Sequence, residues 1–238
     1  MTPRKLTLLS LLGLIVLIGG VSATIMISAK SAMNSAADYA AAHLDQLTLP
    51  DPLPGATAYP EPPVRVEAVA RLGQTVEIQI TRRYQTARNS DAQFITTYFY
   101  QSVSGSWQLA PAPDNFWGNL KTTSGIRVLI QHPQRNQKLM DNLIKVIDPA
   151  LAAACDPWRC PTDLAPLTLT FSTNPTLTPD LSTYLVPQYT GIPYTLSANT
   201  DYLTAIAANA VRLLAQQLKL APQLAEAEIK RQNLYTVQ

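Results

Sequence analysis

Histidine and cysteine are scarce in this chain, with two of each in 238 residues. Zinc needs three or four nitrogen or sulfur ligands converging at about 2.0–2.3 Å. Cys155 and Cys160, with four residues between them and no histidine nearby, do not make such a set. There is no Cys-x-x-Cys-His run for haem attachment, and an iron–sulfur cluster would lack ligands. Neither a Gly-x-Ser-x-Gly elbow nor a Gly-rich phosphate loop occurs. His132 precedes Pro133 without an evident acid partner and reads as structural. The sequence therefore points to no metal, no cofactor, no catalytic residue and no enzymatic activity. Paired carboxylates of the glycosidase kind stay open, because such groups meet in space and not along the chain.

Excess charge is the next absence. The 18 basic residues include Arg4 and Lys5; the remaining 16 balance 16 acidic residues that all follow position 30. A region of net charge near zero has no field to hold phosphate backbones, so nucleic acid is not expected as a partner. Apolar content of 47% suits packed domains and not a solvated tail.

What the chain does have begins at its start. Residues 6–29 run 24 positions without a charge behind Arg4 and Lys5. As a helix they would span roughly 36 Å, enough to cross a hydrocarbon core of about 30 Å. The expectation is a single-pass anchor over residues 1–30, in contact with membrane lipid, with the C-terminal region outside the cytoplasm. A cleaved signal peptide ending at Val21-Ser22-Ala23 is the alternative, against which the length of the run speaks. Gly13, Gly19, Gly20 and Ala23 supply small residues through which another membrane helix could approach, although glycine is also common in such spans.

Nineteen prolines are unevenly spread, and residues 49–63 hold a cluster of them. Each proline removes a donor and biases its predecessor to extended backbone, so this stretch reads as a semi-rigid spacer behind an alanine-rich helical stalk. Stalk and spacer together occupy residues 31–63. Residues 64–118 then alternate apolar and polar through Val76, Ile78 and Ile80, become aromatic and β-branched over 93–103, and turn at Ser104-Gly105-Ser106 into Trp107. That pattern predicts a curved antiparallel sheet. Residues 119–238 read as an α/β unit of strand, helix, strand, helix. Its helices are drawn over 133–154, with Leu139, Leu143, Ile147 and Leu151 inward, and over 200–218. The fold class expected is α+β, with a transmembrane helix ahead of the two units.

Tyr98-Phe99-Tyr100, the Ser-Gly turn, Trp107 and Phe116-Trp117-Gly118 resemble the closing hairpin of nuclear-transport-factor-2-like domains. The resemblance implies a curved sheet around a pocket. Where enzymatic members of that family carry Asp or His, this segment has Asp91 and no histidine. The second unit resembles the N-terminal part of gluzincin peptidases, yet residues 202–214 carry neither histidine nor glutamate where that family has His-Glu-x-x-His. Outside the cytoplasm Cys155 and Cys160 suit a disulfide, with two free thiols the alternative. Trp158 and Arg159 between them are a possible contact, unless Trp158 packs over the disulfide. In layout the chain resembles single-span subunits of bacterial membrane complexes such as alternative complex III. The expected role is a non-catalytic accessory or assembly subunit of such a complex, possibly one that transfers electrons, with other membrane-protein subunits as partners. A stand-alone extracytoplasmic ligand-binding module or degenerate peptidase-like protein is the alternative.

Overall fold

The structure is a computed structural model, and it describes residues 29–44, 47, 52–60, 63, 65–88 and 90–235. Helix α1 is described over residues 29–42. Strands β1 (Thr57–Ala58), β2 (Arg65–Leu72), β3 (Thr75–Gln85), β4 (Asp91–Val103) and β5 (Ser106–Ala110) follow. Next come β6 (Leu120–Ser124), β7 (Val128–Pro133), α2 (Gln137–Trp158), β8 (Leu167–Ser172) and β9 (Thr183–Leu185). The short helix α3 (Pro187–Thr190), β10 (Ile192–Pro193), α4 (Leu196–Gln217) and α5 (Pro222–Arg231) complete the chain.

Two sheets result. In the six-stranded antiparallel sheet, β1 and β2 share one edge of β3, while β4 lies on the other side and carries β5 and β10. The four-stranded sheet runs β6-β7-β8-β9, antiparallel in its first pair and parallel in the next two. The parallel β7–β8 pair needs a crossover, and α2 supplies it. Met140, Leu143, Ile147 and Leu151 recur on one face of α2 and are fully buried. With Val211 and Leu214 of α4 and Ile130, Leu169 and Phe171 of the second sheet they form the larger core. A smaller core joins Ala36 and Ala40 of α1 to Val76, Ile78, Ile80 and Tyr100. Alanine suits that helix face because its short side chain lets the helix lie close to the sheet. The Trp107 indole N–H, donating to Ser35 Oγ at 3.1 Å, pins α1 across β5.

The chain's two halves are interlocked. β10, from the second half, extends the first sheet at Ile95 and Phe94, and β1, from the proline-rich stretch, extends it at Tyr84 and Gln85. The Tyr235 hydroxyl donates to Pro54 O at 3.0 Å and accepts from the Ala87 N–H at 3.0 Å, tying the C-terminal segment to both. Buried Asp201 on α4 accepts from Ser90 Oγ at 2.8 Å and faces Arg88 at 3.7 Å, which docks the helix on the β3–β4 turn.

The expected architecture needs one correction. Among the described residues no helix is long and apolar enough to cross a membrane, so the transmembrane helix is removed from the fold class, which stands as α+β. Among the described helices α4 has 22 residues, but Asp201, Asn209 and Arg212 interrupt it and its apolar stripe packs into the core. Residues 6–28 of the expected span, with Gly13, Gly19, Gly20 and Ala23, lie outside the described residues.

Candidate binding cleft

Strand β4 is long enough to outrun its neighbours. β10 pairs with it at Phe94 and Ile95, and β5 pairs with it from Phe99 to Val103, so on that edge residues 96–98 face no strand. On one side Pro111 follows the last residue of β5, where a missing N–H ends the ladder; on the other the gap begins beyond Ile192, the partner of Ile95, at Gly191. Pro111-Ala112-Pro113 then carries the chain away from the sheet.

The space left is a cleft of about 850 Å³. Its floor is β4, through Thr96, Thr97, Tyr98 and Phe99. One wall is Leu109, Ala110, Pro111 and Ala112, and the other is Leu185 and Tyr189 with Thr173 and Pro175. Trp117 and Asp114 close one end. A chain of edge-to-face rings holds that end rigid: Phe99 on Phe116 at 4.7 Å, Phe116 on Trp117 at 4.7 Å, and Trp117 on Tyr189 at 5.3 Å. Behind them Arg135 lies 3.9 Å over the Phe116 ring and pairs with buried Glu77 at 3.2 Å. Gln79 also donates to Glu77 at 3.2 Å, so this carboxylate is hydrogen-bonded twice within the protein.

Polar groups in the cleft are few. Thr97 is 2% exposed, and its hydroxyl oxygen is buried with no hydrogen-bond partner among the described residues. Asp114 is the one charged side chain of the lining and is exposed. Burial pushes the phenols of Tyr98 and Tyr189 above the ordinary tyrosine range. No histidine, cysteine, lysine or arginine lines this cleft. Its threonine hydroxyls share the lining with one carboxylate, Asp114, and with no imidazole or amine, and most of the remaining wall is apolar or aromatic. A second, smaller cleft of about 350 Å³ lies between residues 52–55 and α4. Polar side chains there are engaged within the chain: Tyr184 donates to Leu181 O at 2.6 Å, and Asn209 accepts from Arg212 at 2.9 Å.

The residues singled out from sequence lie elsewhere. Cys155 and Cys160 are joined in a disulfide, with Cα atoms 4.9 Å apart. Helix α2 ends there, and Arg159 stands exposed in the left-handed region at φ 52°. Trp158 is partly buried against the larger core. His132 is fully buried between Thr123 Oγ1 at 2.7 Å and Pro133 O at 2.8 Å. Asp91 pairs with Arg83 at 2.8 Å at the exposed start of β4, away from the cleft lining. Among the described residues no three of His, Cys, Asp and Glu are grouped to hold a metal ion. Thr97, Asp114 and Tyr189 were not singled out. The available signals were a threonine pair in an otherwise aromatic strand and the Pro-Ala-Pro break after β5.

Compared with known protein families, characterised proteins and solved structures, the chain matches none.

Proposed function

We propose that this protein is a non-catalytic binding module that takes an apolar ligand into the cleft beside β4. The observation that carries this reading is an apolar, aromatic-walled space of about 850 Å³ with one buried hydroxyl, that of Thr97, left without a partner at its floor. Small-molecule sites have this character: mostly apolar walls, a few placed polar groups, and volumes of roughly 300–1,000 Å³. The Cys155–Cys160 disulfide supports a place outside the reducing cytoplasm. The test uses the full chain and prodan, a neutral fluorophore that brightens in apolar surroundings. Saturable one-to-one binding is expected, weakened about tenfold or more by Ala112→Trp, which fills the cleft from one wall. Absence of saturable binding, or equal affinity in the variant, would contradict the reading.

A second reading is the accessory subunit of a larger assembly, working through protein contacts. It is supported by Tyr194 and Leu196, two apolar side chains close in sequence that stand 60% and 83% exposed at the start of α4. Native electrophoresis of mild extracts would then show migration far above 26.0 kDa. Tyr194→Ser with Leu196→Ser should release the 26.0 kDa chain.

A further inference from the structure

We propose that the cleft selects an uncharged apolar molecule that carries an amide, with the amide seated on Thr97 and the apolar body against Leu109 and Trp117. This rests on the reading of the cleft as a binding site and names its ligand class.

The argument starts from strand geometry. Tyr194 N–H donates to Gln93 O at 2.9 Å, and Gln93 N–H donates to Thr195 Oγ1 at 3.2 Å, so both backbone groups of Gln93 point to the β10 side. In an antiparallel ladder alternate residues direct their N–H and C=O to the same side, which puts those of Ile95, Thr97 and Phe99 on this edge. Ile95 meets β10 and Phe99 meets β5, while Thr97 falls in the gap between them. Thr97 therefore brings an amide donor, a carbonyl acceptor and an unpartnered hydroxyl to one spot. Buried polar groups are nearly always paired, and leaving them unpaired costs stability that a matching ligand recovers.

A ligand amide has the complementary set, one acceptor and at least one donor on adjacent atoms. A hydrocarbon satisfies none of these groups. A carboxylate cannot donate to the Thr97 carbonyl, and it would enter a lining whose one charge is the like charge of Asp114 with no basic side chain to offset desolvation. An added peptide strand does not fit either, because the gap spans only three residues between paired ends.

The test titrates the isotope-labelled full chain with three probes of one shape: naphthamide, naphthoate and methylnaphthalene, following the Thr97 backbone amide by NMR. Naphthamide is expected to bind about tenfold tighter than either of the others, the size of one net hydrogen bond, with the Thr97 resonance moving downfield. Thr97→Val should cut that advantage at least about threefold. Naphthoate binding as tightly as naphthamide would overturn the assignment, as would an advantage that Thr97→Val leaves undiminished. If methylnaphthalene binds and naphthamide binds no tighter, the amide assignment alone falls. If none of the three binds, the reading of the cleft falls with it.

Discussion

Thr97 stands in a strand with Phe94, Tyr98, Phe99 and Tyr100 around it, and in sequence it is one more β-branched residue suited to a sheet. Only the register of three other strands shows that on one edge its backbone faces no strand, and that its hydroxyl is buried without a partner among the described residues. Register between distant segments is not written locally, so this residue was illegible, as was Tyr189, which enters the cleft from a four-residue helix. A consequence follows for stability. Thr97→Val keeps the side chain's shape and removes a hydroxyl whose desolvation nothing offsets, so it should stabilise the ligand-free protein by about 1 kcal/mol. Urea denaturation measures this directly. A loss of stability would mean that the hydroxyl has a partner in solution.

Elements were more readable than their sites. Strand β8 and the long helices α2 and α4 follow from apolar spacing, because a face buried against one core imposes its period on the sequence. Strand β6 was not anticipated: its Leu-Lys-Thr-Thr-Ser is almost wholly exposed and pairs only with β7, so no apolar alternation marks it. Two predictions belong at this scale. The Cys155–Cys160 bridge closes a loop with a sequence separation of 5, for which chain-entropy reasoning gives about 2 kcal/mol. The double change Cys155→Ala with Cys160→Ala should lower stability by about that amount, read as a shift in the denaturation midpoint that reductant reproduces in the parent protein. No shift would contradict a stabilising bridge.

Helix α5 is held to α2 by a clasp. Arg231 donates to Glu228 at 2.8 Å and to Ala153 O at 3.1 Å, while Gln232 donates to Ala150 O at 3.1 Å. Hydrogen bonding from Arg231 holds the Glu228 carboxyl below the usual glutamate range, against partial burial that would raise it, and Gln232 adds to the lowering. A carboxyl depressed in the folded state binds its proton more readily unfolded, so its contribution is full above the unfolded value of about 4.3 and is lost as pH falls below it. Glu228→Gln should therefore melt at a lower temperature than the parent near neutrality, and the difference should shrink on acidification. A difference that stays constant with pH would show that the charge of Glu228 is not what holds the clasp.

At the scale of the whole molecule, the first sheet takes strand β10 from beyond the second sheet in sequence, and the cleft forms where the first sheet's edge is left unfilled between β5 and β10. Composition and pattern could convey an α+β chain of near-neutral charge, and a resemblance could suggest a curved sheet around a pocket. The pocket's location depends on β10, two residues contributed from about a hundred positions away, which no local signal announces. The central claim is that this gap is where the protein binds. Mapping of backbone amide shifts in the labelled full chain on addition of naphthamide tests it most directly. The account predicts perturbations concentrated on Thr96, Thr97, Tyr98, Trp117 and Tyr189. Perturbations confined to the smaller cleft at residues 52–55, or none at saturation of the probe's solubility, would contradict it.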